Sequence, residues 1–206
     1  MRVDFHTHYI PKHFPDMAEK YGDAGWPTLL HTGLCQADIY NAGKHYRSID
    51  DRSWQPERRL KDMDAEGVDI QVLSPIPVTF AYRFSAHAVL ELSQYQNDEI
   101  ARAAHVAPER FIGLGTVPLQ DPALASSEVR RAVIELGLAG VEIGTAIEGK
   151  TSMTPLWIHS GKPVRTLVQP FSFTRQPYSL PNEQVSIVCS IRWAIQPKRV
   201  SQQRRL

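Results

Sequence analysis

Apolar and polar positions along the first 144 residues alternate between two rhythms. Four short apolar runs begin near residues 2, 68, 111 and 140. They are Val3-Asp4-Phe5-His6-Thr7-His8, Val68-Asp69-Ile70-Gln71-Val72-Leu73-Ser74, Phe111-Ile112-Gly113-Leu114-Gly115-Thr116-Val117 and Gly140-Val141-Glu142-Ile143-Gly144. Each has the length of a strand. A helical pattern precedes each of the last three. Pro56 stands where a helix can start and Gly67 where it can stop, with Leu60 and Met63 as a thin apolar face. Residues 85–107 carry Val89, Leu90, Leu92, Ile100 and Ala103 on one side. Asp121-Pro122 opens a further helix that runs to about Leu136, before Gly137. Alternating strands and helices predict βαβ units and a parallel sheet.

Two stretches break the rhythm. Residues 9–55 read as a long, mostly irregular insertion with Pro11, Pro15, Pro27 and several aromatics, and long loops of this kind are usually functional. After about residue 150 the pattern stops. The last 56 residues hold six prolines and seven serines, and the strand-like runs there are Thr166-Leu167-Val168 and Val185-Ser186-Ile187-Val188-Cys189. The expected organisation is about four βα units over residues 1–150 and a basic, Pro/Ser-rich tail of uncertain structure over 151–206. A reading-frame change or a truncation would produce such a break.

Charge sharpens that division. The whole chain of 206 residues carries a net +1. Residues 1–150 hold 15 Lys and Arg against 21 Asp and Glu, whereas the tail holds 8 against the single acid Glu183. The balanced total leaves no electrostatic footprint of nucleic acid or of a membrane surface. No apolar run is long enough to span a bilayer. Cys35 and Cys189 make no disulfide framework, which fits a reducing compartment. The first strand begins at once, with no room for a signal peptide. These features predict a cytoplasmic protein.

The chemistry concentrates in His6 and His8. On an extended backbone, residues two apart point the same way. The two imidazoles are therefore expected side by side at the end of the first strand, spaced to grip one ion. Neutral imidazole is the commonest metal ligand, and a pair suits zinc or another divalent metal. The other histidines carry less. His13 and His31 lie in the insertion, and His87 and His105 are expected on an exposed helix face. His45 stands near enough to Arg47 to support it.

Several segments together resemble the amidohydrolase superfamily, in particular the metal-dependent decarboxylases typified by aminocarboxymuconate-semialdehyde decarboxylase. They are Val3 to Pro11, Trp54 to Ser74, Pro77 to Tyr82, Arg110 to Gln120 and Gly140 to Thr145. The resemblance implies a distorted TIM barrel with its metal at the C-terminal ends of the strands, of which this chain would supply an incomplete (β/α) barrel of about four units plus an irregular tail. It implies that His6 and His8 are metal ligands, for zinc or another divalent ion. It implies that Arg47 binds a substrate carboxylate, a task that suits a guanidinium fork, and that Phe80 and Tyr82 line the substrate pocket. The implied partner is a small-molecule carboxylic acid, 2-amino-3-carboxymuconate 6-semialdehyde or a similar unsaturated or aromatic acid, and a homo-oligomer is expected.

The sequence also departs from that family. Its third ligand is a histidine in a His-Pro context, its catalytic histidine lies in His-Gly-Gly-Gly, and its last ligand is a late aspartate. None of these motifs occurs here, so no catalytic histidine is assigned. His159, in Trp157-Ile158-His159-Ser160, follows Gly144 too closely for a crossover helix between two parallel strands. Two ligands fall short of the three protein ligands usual at catalytic zinc. The expectation is an incomplete, inactive decarboxylase. The alternatives are a metal-dependent hydrolase of the same superfamily, or a non-catalytic fragment that pairs with another chain.

Overall fold

A computed structural model describes residues 1–144 throughout, and the backbone of 146–147, 150–151 and 185–188. Its centre is a curled sheet built from the four predicted strands. Strand β1 (Val3–Tyr9) pairs in parallel with β5 (Ile70–Pro75), β5 with β6 (Phe111–Gly115), and β6 with β7 (Gly140–Gly144). A fifth strand, β10 (Val185–Val188), adds antiparallel to the far side of β7, so the sheet is not purely parallel. The rest of the tail, including His159, Thr166-Leu167-Val168 and Cys189, lies outside the described residues. A two-residue ladder joins β8 (Ala146–Ile147) to β9 (Lys150–Thr151).

The helices begin and end where their caps put them. Helix α2 (Pro56–Glu66) starts on a proline, whose missing N–H costs nothing in the first turn, and stops at Gly67 with φ 67°. Helix α3 (Ala86–Val106) is capped by the Ser85 hydroxyl, which accepts from the Ala88 amide. Its buried side runs through Val89, Leu92, Gln96, Ile100 and Ala103. The Asp121 carboxylate accepts from the amides of Ala123 and Leu124 to open α4 (Pro122–Arg130), which widens into a π turn over Arg131–Glu135.

Close approach fixes how α3 lies on the sheet. A Cβ on Gly113 would stand 2.6 Å from Leu138 Cδ2, and one on Gly115 would stand 2.6 Å from Asn97 Oδ1. Both glycines are therefore spacers that let α3 touch β6. The buried Asn97 amide uses that contact. It donates to the Thr116 carbonyl (2.9 Å) and to Glu128 (2.7 Å), and it accepts from the Thr116 amide (2.7 Å). Met63, Leu73, Ile100, Phe111 and Leu138 fill the layer between sheet and helices.

The expectation for residues 9–55 is corrected. They hold a short helix, α1 (Met17–Tyr21), and a three-stranded antiparallel sheet of β2 (Thr28–Gly33), β3 (Gln36–Asn41) and β4 (Lys44–Asp50). Strand β3 alternates: Ala37 and Ile39 are fully buried, their neighbours less so. Ala42 and Gly43 both take positive φ, 52° and 71°, which gives the tight two-residue turn a hairpin prefers. The inner face of this small sheet packs Ala37 and Ile39 with Ile10, Trp54, Ile76 and Val78. It thereby covers the C-terminal ends of β1 and β5.

Candidate functional site

His6 and His8 lie at the end of β1 as the alternation predicts. Their ring centroids are 5.0 Å apart and the rings meet edge to face. His8 Nδ1 lies 3.1 Å from the Pro75 carbonyl and 3.3 Å from Ser74 Oγ. A carbonyl can only accept, so Nδ1 carries the proton and Nε2 keeps its lone pair. Burial, the charge of His6 and, more weakly, the charges of Arg47 and Arg59 lower the His8 pKa to about 4. His8 is thus a neutral imidazole at neutral pH, the form that binds a metal.

Two arginines flank His8 and differ in role. Arg59 is buried on α2 and donates to the His8 carbonyl and to Gln71 Oε1, and Gln71 passes the chain on to Asp4. It staples the backbone of the histidine strand to the helix behind it. Arg47 is exposed on β4 and stands opposite the buried Ile39 in the register. Directly opposed residues share a face of the sheet. Arg47 therefore lies on the inward face of the cap, and its charge reaches His8. His45 turns instead to Asp38 and Ser48, not to Arg47 as expected.

Phe80 and Tyr82 stack at 5.6 Å over the end of β7. The Gly144 amide donates to the Tyr82 hydroxyl (3.2 Å), and burial pushes that phenol well above its ordinary pKa. A Cβ on Gly144 would stand 3.0 Å from Tyr82 and 3.7 Å from Phe80. These contacts anchor the pair to β7. A cavity of about 810 Å³ lies between the small sheet and α2, lined by Thr7, His8, Asp38, Asp50, Arg52 and Arg59. It reaches His8 but not His6 or Arg47.

The pair fits a divalent ion as two of its ligands. Among the described residues, no group of three His, Cys, Asp or Glu side chains could hold one. Two further side chains belong to this region that residue types alone did not single out. Ser74 touches His8. Glu142 is fully buried, neither of its oxygens has a hydrogen-bond partner, and burial raises its pKa to about 7. The available signal for Glu142 was an acid in the middle of an apolar strand.

Comparison with known proteins agrees with this architecture. The chain is 43% identical over 155 residues to 2-amino-3-carboxymuconate-6-semialdehyde decarboxylase of Dictyostelium discoideum, a match over 75% of this chain and 43% of that protein. It spans less than half the length of that relative. The crystal structure of an amidohydrolase II superposes with a TM-score of 0.51 at 21% identity, over 77% of this chain and 45% of that one. The 5-carboxyvanillate decarboxylase of Novosphingobium aromaticivorans, solved with manganese and 4-hydroxy-3-methoxy-5-nitrobenzoic acid, gives a TM-score of 0.50 at 23% identity, over 73% and 43% of the two chains. These structures carry the fold, a curled α/β half-barrel of the TIM type. Among the described residues, no helix is long and apolar enough to cross a membrane. The amidohydrolase family model matches residues 3–156, most of the chain, and the protein belongs to the amidohydrolase family.

Proposed function

We propose that residues 1–150 are the metal-gripping and carboxylate-holding part of a cytoplasmic, metal-dependent decarboxylase, with residues 151–206 as a basic accessory segment. The observation that carries this reading is the His6–His8 pair at a strand end, with His8 neutral and Arg47 on the cap beside it. His6 and His8 would hold a divalent ion, zinc in our reading. When bound, such an ion polarises substrate oxygens and lowers the pKa of water beside it. Arg47 holds the carboxylate of an unsaturated or aromatic acid, and Phe80 and Tyr82 give its ring or chain an apolar wall. The bond from that carboxylate to its carbon breaks, CO₂ leaves, and a proton takes its place. The substrate class follows the similar decarboxylases, 2-amino-3-carboxymuconate 6-semialdehyde first among them.

With two donors described, the chain alone is expected to bind zinc weakly and to release little CO₂. Purified full chain is tested with zinc and that semialdehyde, following CO₂ release. Weak zinc binding without turnover fits this reading, and near-normal turnover contradicts its incompleteness. A second reading, pairing with another copy or a longer relative, is favoured by β1, which stands at the end of its sheet. An open strand edge recruits other chains. Native mass measurement of the purified chain tests it: a dimer supports it and a stable monomer opposes it.

A further inference from the structure

Register places Glu142 on the same face of the sheet as the histidines. Gly113 and Gly115 face α3, because a side chain on either would strike Leu138 or Asn97. Leu114 therefore faces the inside of the curl, and its partner Gly140 faces the same way. Two residues on, Glu142 faces inward too. On the other side of β6, Leu73 pairs with Gly113 and faces outward, so Ser74 faces inward, level with its partner His8. Glu142, Ser74 and His8 thus project into the space inside the curl.

Within that space the polar groups have unequal company. The Ser74 hydroxyl donates to the Thr7 carbonyl at 3.0 Å and lies 3.3 Å from His8 Nδ1. Glu142 is completely enclosed, and neither oxygen makes a well-formed hydrogen bond. The Ser74 hydroxyl is the side chain whose hydrogen bonding bears on it, and its own proton already goes to Thr7. A buried carboxylate without a cation is costly, whereas a buried carboxylic acid needs only an acceptor for its proton.

We propose that Glu142 is a positioning residue for the metal site, which as a neutral acid donates its proton to Ser74 Oγ and through Ser74 fixes the Nδ1 edge of His8. The donors and acceptors balance. Ser74 gives its one proton to the Thr7 carbonyl and has two lone pairs, one for Glu142 and one for the Nδ1–H it shares with the Pro75 carbonyl. With Nδ1 held from behind, Nε2 is presented forward. Partners behind a metal ligand set its tautomer and ring orientation in this way. The rise of the Glu142 pKa to about 7 by burial agrees with an acid that keeps its proton below pH 7.

This inference rests on the reading of His8 as a ligand, so its test carries a separate arm for each. Zinc affinity of the full chain is measured by chelator competition for the wild type, H8A, S74A, E142Q, E142L and S74A/E142L. The tautomer of His8 is read from imidazole ¹⁵N shifts in the metal-free chain. Gln can donate to Ser74 as the neutral acid does, so E142Q should keep zinc affinity within about twofold and leave one His8 tautomer. E142L and S74A should each weaken zinc by about tenfold, the low end for such partners, and mix the tautomers. The double variant should be no weaker than either. Leucine removes an unpartnered acid from an enclosed site, so E142L is expected to fold, and thermal melting checks it. Unchanged affinity and tautomer in E142L, additive losses in the double variant, or E142Q as weak as E142L would overturn the positioning role. Unchanged affinity in H8A would instead overturn the metal reading.

Discussion

The parallel sheet and the antiparallel cap contribute to one site by opposite means. The parallel sheet supplies a partly buried His8 and a fully buried Glu142, held by neighbouring strands. The cap supplies Arg47 from an exposed strand. Burial decides the state of the first two groups: it strips His8 of its proton and helps Glu142 keep one. Exposure leaves Arg47 solvated and free to meet an incoming anion. The half of the site that would hold an ion is set by strand pairing, and the half that would hold substrate lies on an exposed strand.

Breaking the sheet should cost more than breaking the cap. Gly113→Val adds atoms where a Cβ alone would meet Leu138 at 2.6 Å and Ile100 at 3.0 Å. Overpacking of this kind should lower stability by about 3 kcal/mol, seen in urea unfolding, and remove metal and ligand binding together. The buried acid gives the next largest effect. Its pKa rises from 4.5 to about 7 on folding, so the stability it contributes is full below pH 4.5 and is lost as pH climbs to 7. E142Q lacks that loss. The stability of E142Q relative to wild type should grow by about 3 kcal/mol between pH 4.5 and 7, at 1.36 kcal/mol per pKa unit, and a flat difference would contradict the assignment.

The cap yields smaller and more selective effects. Arg47→Ala should weaken binding of the proposed carboxylate substrate about tenfold, the loss of one charge-assisted hydrogen bond, and leave the melting temperature unchanged. Gly43 sits at φ 71° in the hairpin turn. Gly43→Val should cost about 1 kcal/mol and loosen carboxylate binding while zinc binding holds. Equal loss of both would mean that cap and sheet do not act separately.

The same division governs what could be read in advance. Strands β5, β6 and β7 are mostly buried, so they appear as apolar runs, and Pro56, Gly67, Ser85 and Asp121 mark the helices between strands. The cap was missed because Lys44 to Ser48 are all exposed and carry no alternation. The readable signals there were Ala37 and Ile39 in β3 and the Ala42-Gly43 turn. His6 and His8 were legible because alternation within one strand is enough to pair them. Glu142 was not, because its facing depends on register across three strands, and register is a tertiary property.

The central claim is that His6 and His8 form one half of a divalent-metal site. Its most direct measurement is equilibrium zinc binding by the full chain, compared with H6A, H8A and R47A. The account predicts one ion per chain, lost by more than tenfold in H6A and in H8A and unchanged in R47A. Equal zinc binding by wild type, H6A and H8A would contradict it.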